Sequence, residues 1–171
     1  MALGHRDIAH IDGGDTLIAE LRRSGYVAAM RRHGLADRIR VEHGGQSQID
    51  AQPAARRLSS DSNPPTALIA YNDDIAVGAM GVFERRGVAV PEQISIVGYD
   101  DSVLGQLAPV PLTSVAQRPD ELGRLAVERM IARVERRRVG DREIVLGAEL
   151  KVRASTAVPP PARRLPHNGP L

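Results

Sequence analysis

Hydrophobic and polar positions fall in blocks along this chain, and the clearest order of blocks lies between residues 66 and 101. The run ALIAY at 67–71 is apolar throughout, with Pro64-Pro65 before it and Asn72-Asp73-Asp74 after it. An unbroken run of that length suits a strand buried on both faces better than a half-wetted one, which would alternate. The stretch IAVGAMGVF at 75–83 then predicts a helix that is apolar around most of its circumference. Such a helix is expected to pack on the sheet with one side and on a second surface, read here as a partner subunit, with the other. Asp73 is expected to cap it, Asp74 to add charge at its positive end, and Gly87 to stop it in a left-handed conformation. The run ISIVG at 94–98 repeats the strand, and Asp100-Asp101 repeats the polar tip. Two parallel strands joined by a helix bring both tips to the same sheet edge, where open α/β proteins bind ligands.

The flanking blocks extend this pattern. Residues 7–11 predict a first strand, ended by Asp12-Gly13-Gly14. Residues 15–34 predict a helix with Leu17, Ile18, Leu21, Ala28 and Ala29 at helical spacing, Arg31 and Arg32 in its last turn and Gly34 as its stop. A second strand is predicted at 39–42 and a helix at 49–60; Pro53 is tolerated in a first turn, which sets the expected start near Asp50. Residues 112–116 predict a fifth strand with Gln117 at its tip. Pro119, Asp120 and Glu121 then open a helix over 119–138 whose stripe Leu122, Ala126, Met130 and Val134 calls for a broad apolar partner, with Gly140-Asp141 at its end. Two closing strands are predicted at 143–146 and 149–153, and a disordered Pro-rich tail at 158–171. The expected fold class is α/β: a parallel open sheet with helices on both faces and two closing C-terminal strands.

Composition narrows the function classes. The chain has 171 residues, 42% hydrophobic and 26% charged, enough for one domain with a real core. It contains no cysteine, which removes disulfides, zinc-thiolate sites and thiol nucleophiles and fits a reducing cytoplasm, the expected compartment. No run of 18 apolar residues argues for a membrane span, and the start of the chain does not read as a secretory signal. The formal net charge is +2, and Lys151 is the sole lysine; the arginine clusters near helix ends read as solvated cations at negative dipole ends.

Five strand tips direct Asp12, His43, Asn72, Asp100 and Gln117 to one edge. Asp12 reads as a brace for its glycine turn. Asn72, beside a capping aspartate, is expected to keep its amide free to donate and accept, as a sugar hydroxyl or a base edge requires. Asp100 can accept two hydroxyl hydrogens, and Arg22 can answer with a fixed donor fork if its helix starts near the same edge. Such a set grips a neutral polar molecule and performs no evident chemistry. Motifs for an acyl-transfer serine, a phosphate-binding loop and a zinc-peptidase helix are absent, no histidine pair has metal-ligand spacing, and no helix-turn-helix or aromatic stacking surface marks nucleic-acid binding. No enzyme activity, metal or cofactor is expected.

GHRDIAHIDGG, R-x-x-G-Y at Arg22 to Tyr26, PPTALIAYNDDIAVGAMGVFERRGVAVPEQISIVGYDDS, PLTSVAQ followed by Leu122-Gly123, and ELKVRAST together resemble the effector-binding core of LacI/GalR-family transcription regulators. The resemblance spans nearly all of 3–157. It implies a periplasmic-binding-protein-like core of two α/β subdomains with a small effector, usually a sugar, between them. A helix-turn-helix headpiece would carry operator DNA binding, and a homodimer is expected. It further implies that residues 1–157 are a partial effector-binding domain, chiefly the second subdomain, whose helix 119–138 packs on the first subdomain in complete members. Headpiece, hinge and most of the first subdomain are not found here. By motif, Arg22, Asn72, Asp100 and Gln117 correspond to effector contacts. With no stacking aromatic evident in this half, a sugar is favoured over a purine.

A periplasmic sugar-binding protein shares this fold and pocket logic and stays open as an alternative. A phosphoacceptor receiver domain is a weaker rival, since it needs a lysine at the last tip, where Gln117 stands.

Overall fold

The computed structural model describes residues 3–137 and 143–161. Six strands form one sheet in the order β2-β1-β3-β4-β5-β6: β1 (Ile8–Ile11), β2 (Arg40–Glu42), β3 (Ala67–Ala70), β4 (Ser95–Tyr99), β5 (Thr113–Ala116) and β6 (Glu149–Lys151). The first five are parallel and β6 runs antiparallel beside β5. Helices α1 (Leu17–Arg32), α2 (Gln48–Ser60), α3 (Asp73–Arg85), α4 (Val103–Gln106) and α5 (Pro119–Val134) connect them. This is the expected α/β parallel open sheet, closed by one C-terminal strand instead of two. Residues 143–148 form no strand. The free edge of β5 is already taken by β6, and Ile144 and Leu146 line a recess against Leu122, Leu125 and Ala126 of α5.

Register divides the core between the two faces. Ala9, Ile11, Leu68, Ala70 and Ile96 pack with α2 and α3 on one side, while Ile8, Ala67 and Ile69 pack with Tyr26 and Met30 of α1 on the other. The crossovers are short because each helix is started and stopped locally. Thr16 accepts from Ala19 N to begin α1, and Gly34 ends it at φ +69°. Ser47 and Asp50 form a reciprocal capping box that starts α2 at Gln48. Pro53 therefore falls in the second turn of α2, not the first as expected; its ring is exposed, and the helix gives up one backbone hydrogen bond there.

Two expectations for α3 are corrected. Its cap is Asn72, whose side chain accepts from Ile75 N at 2.9 Å, and Asp73 is instead the first helical residue and fully buried. Its second side packs against α2 of the same chain, where a partner subunit was expected: a Cβ on Gly78 would overlap the backbone of Gln48. Gly87 stops the helix at φ +69° as expected.

At the opposite end of the sheet from the polar tips, residues 153–157 form a strap. Ser155, fully buried, pairs with Ile96 through both its backbone and its hydroxyl, and that hydroxyl also accepts from Thr113 N. The Ala157 carbonyl accepts from Ser95 Oγ and from His5 Nε2. The start and the end of the described chain are thereby sewn beneath β4. Helix α5 is the exception to this economy: none of its residues is buried. Its expected stop at 140–141 and most of the expected tail, 162–171, lie outside the described residues. Among the described residues no helix is long and apolar enough to cross a membrane.

Candidate functional site

The site lies on the rim formed by the C-terminal ends of the parallel strands. Arg22 stands in the second turn of α1, and α1 begins at that rim because the Asp12-Gly13-Gly14 turn leads straight into it. The Arg22 guanidinium donates to the Tyr71 carbonyl and to Asp100 Oδ1, the latter at 3.3 Å. It is held between two rings, 3.8 Å from the centroid of Tyr99 and 4.6 Å from that of Tyr71. Gln117 Nε2 donates to the same Asp100 oxygen. Among the described residues, nothing hydrogen-bonds to Asp100 Oδ2.

Asp100 itself is held in an uncommon backbone conformation, φ 110°, followed by Asp101 at φ 54°. Such conformations cost on the order of 1–3 kcal/mol for a residue with a side chain and persist only where the surroundings enforce them. Here Asp100 N donates to the Val115 carbonyl and Asp101 N to Ser114 Oγ. Ser114 Oγ in turn donates to buried Asp73 Oδ1, while Asp73 Oδ2 accepts from the backbone and hydroxyl of Ser102. Glycine at 98 and 105 leaves room for that carboxylate, since a Cβ at either would crowd it. Loss of water around the Asp100 carboxyl pushes its pKa above the usual value, against the pull of Arg22 and the Gln117 hydrogen bond; the charge of Asp73 adds to the rise. A carboxylate held up in this way, half-exposed beside a fixed cation, is ready to accept from a ligand's hydroxyls.

Of the four residues singled out in the sequence, Arg22, Asp100 and Gln117 form one hydrogen-bonded network. Asn72 sits beside it, next to the Tyr71 carbonyl, but its amide is not free as expected: Oδ1 caps α3 and Nδ2 donates to the Gln46 carbonyl at 3.3 Å. One N–H and one lone pair remain for any other partner. Two aromatic rings stand beside this network, both against the Arg22 guanidinium. Tyr71 and Tyr99 were hidden at the ends of two apolar runs, where an aromatic reads as core; only the placement of Arg22 between them reveals another role.

The other tips serve the scaffold. Asp12 is buried, accepts from Gly14 N and Gly44 N, and pairs with Arg23 at 2.7 Å, so it braces its turn as expected. Burial alone would raise its pKa, but Arg23 and the two glycine N–H groups outweigh it and hold the carboxyl below the usual value. His43 is exposed, 3.5 Å from Asp12. Beneath the rim, His10 donates from Nδ1 to the Ile69 carbonyl and stacks on Tyr26, leaving Nε2 buried without a partner; burial lowers its pKa. Among the described residues no group of three or more His, Asp or Glu side chains could hold a metal ion.

Comparison with known proteins agrees with this architecture. The family described as periplasmic binding protein-like domain matches residues 1–156. The HTH-type transcriptional repressor CytR of Escherichia coli (strain K12) is 33% identical over 159 residues, covering 92% of this chain and 47% of that protein. The ribose operon repressor of the same strain is 38% identical over 133 residues, covering 77% of this chain and 40% of that protein. Among solved structures, a LacI transcriptional regulator from Rhodococcus species superposes with a TM-score of 0.82 at 38% identity, over 92% of this chain and 58% of that one. A dimeric Lac repressor with an 11-residue C-terminal deletion gives 0.84 at 29% identity, over the same shares. The chain spans about half the length of the curated relatives it matches.

Proposed function

The chain belongs to the periplasmic-binding-protein-like family, among LacI-family regulators, and from that premise we propose that it is the effector-sensing part of a transcription regulator, contributing one wall of the effector cleft. The observation that carries this reading is the Arg22–Asp100–Gln117 network on an open rim, with Asp100 held in a costly conformation whose second carboxylate oxygen has no hydrogen bond within the described chain. Strain kept at an exposed carboxylate serves recognition, not folding. The effector is a small polyhydroxylated molecule: Asp100 accepts from its hydroxyls, Arg22 donates a fork, and Gln117 and the remaining amide capacity of Asn72 complete the polar contacts. Tyr71 and Tyr99 fix Arg22 between their rings, and the edge of Tyr99 offers the ligand a partly apolar border.

Residues 1–157 then act as a partial effector-binding domain. Helix α5 packs on the other subdomain, two copies associate, and operator DNA is bound through a separate headpiece. Because one wall of a cleft recovers only part of the contact energy, the chain alone binds weakly. Titration with D-ribose, L-arabinose and cellobiose is expected to give affinities poorer than micromolar; sub-micromolar binding would overturn the half-cleft reading. In a version joined to a first subdomain and headpiece, Arg22→Ala or Asp100→Ala should abolish the effector response while operator binding persists. An unchanged response would remove them from the site.

A further inference from the structure

Behind the rim, a second carboxylate is held as firmly as Asp100 is left open. Asp101 accepts at Oδ1 from Arg153 Nη2 at 2.5 Å, and Arg153 Nη1 donates to the Leu112 carbonyl at 2.8 Å. Both side chains are largely buried, 18% and 23% exposed, so water screens the pair weakly. The rest of Asp101 is also engaged: its N–H by Ser114 of β5 and its carbonyl by Gln106 of α4. Arg153 is anchored in turn, its own N–H donating to Thr113 Oγ1. Three separate parts of the chain thus hold one residue at φ 54°, directly after Asp100 at φ 110°. Return of Asp101 to an ordinary negative φ would rotate the peptide it shares with Asp100 and turn the Asp100 carboxylate away from Arg22 and Gln117.

We propose that Arg153 is a positioning residue for the effector site: through Asp101 it holds the strained turn that aims Asp100, and so ties the rim to the segment leaving β6. This inference rests on the reading of Asp100 as an effector contact. A purely stabilising ion pair would affect melting alone, whereas a positioning residue must also move the groups at the rim.

The test uses the whole chain and two NMR signals, the carboxyl carbon of Asp100 and the Arg22 side-chain protons shifted by the flanking tyrosine rings. Arg153→Met is expected to move the first towards a freely solvated aspartate and the second towards an unstacked arginine, and Arg153→Lys to recover part of both. Asp101→Asn, which keeps the left-handed preference of the position and removes its charge, should reproduce the change and supplies the readout if Arg153→Met does not fold. Arg38→Met, which removes the pair with Asp7 at the far end of the sheet, should move neither signal. An Arg153→Met or Asp101→Asn protein with both signals at their wild-type positions overturns the proposal, whatever its melting temperature. Titration of the wild-type chain with D-ribose, L-arabinose and cellobiose at high millimolar concentration keeps the two claims apart. Failure of all three to perturb Arg22, Asp100 or Gln117 counts against the effector reading, while the positioning claim stands or falls on the variant spectra.

Discussion

Helices α3 and α5 look alike in sequence and meet opposite fates. Both carry apolar residues around much of their circumference, yet α3 is enclosed by α2 and the sheet, and α5 has no buried residue at all. α5 is the more polar of the two, and its surroundings differ as well. α3 returns the chain to a parallel strand and must lie on the sheet, and Gly78 lets α2 approach to backbone contact. α5 leads away from the last parallel strand through Arg118, in a left-handed conformation, and the chain then returns as an antiparallel edge. An apolar helix face thus records only that a partner is needed; connectivity decides whether this chain supplies it.

Substitutions can test that contrast, beginning with the largest effect. Phe83→Ala in α3 removes a fully buried ring and should cost about 3–5 kcal/mol, read as a large shift of the denaturant midpoint. The matching change in α5, Met130→Ala, should stay within about 0.5 kcal/mol because its side chain is exposed. Equal losses would mean that α5 is covered in solution. Gly78→Ala should cost about 1–3 kcal/mol by driving a methyl into the Gln48 backbone, and an unchanged midpoint would mean that α2 does not sit so close. Replacing Leu122, Met130 and Val134 together by serine should leave melting nearly unchanged and abolish any concentration-dependent association seen by light scattering; association that survives would place the contact elsewhere.

The same contrast between inward and outward use appears at the strand tips, with smaller effects. Asp12 has a lowered folded-state pKa, so its contribution is present above the unfolded value and is lost as pH falls through the folded one. Asp12→Asn should lower the melting temperature at neutral pH and flatten the acid limb. Asp100 has a raised pKa, so any stability linked to its protonation is present below the unfolded value and is lost as pH rises through the folded one. Asp100→Asn should therefore leave neutral-pH melting unchanged or slightly higher. A marked drop would make Asp100 a structural carboxylate like Asp12.

Much of this was legible beforehand. The pattern of apolar residues located all five parallel strands, the glycine and acidic punctuation located α1, α2, α3 and α5 but not the short α4, and the strand tips picked out Asp100 and Gln117, with Arg22 added from the start of α1. The failures share a cause. Asn72 and Asp73 are adjacent and both can cap, and only the presence of Ser102 and Ser114 beneath the turn makes Asp73 the buried clamp and leaves the cap to Asn72. Tyr71 and Tyr99 read as the ends of core strands until Arg22 lies between them. Arg153 offered no signal, since its partner is 52 residues away.

The sequence alone determined the α/β class, the strand count on the parallel side and the edge at which polar groups gather, because these follow from local periodicity and from the handedness of crossovers. Which carboxylate keeps an oxygen open on the rim and which is spent wholly on the scaffold was decided only in three dimensions. That choice depends on water exclusion and on partners brought from distant segments, and neither is written in the spacing of residues along the chain.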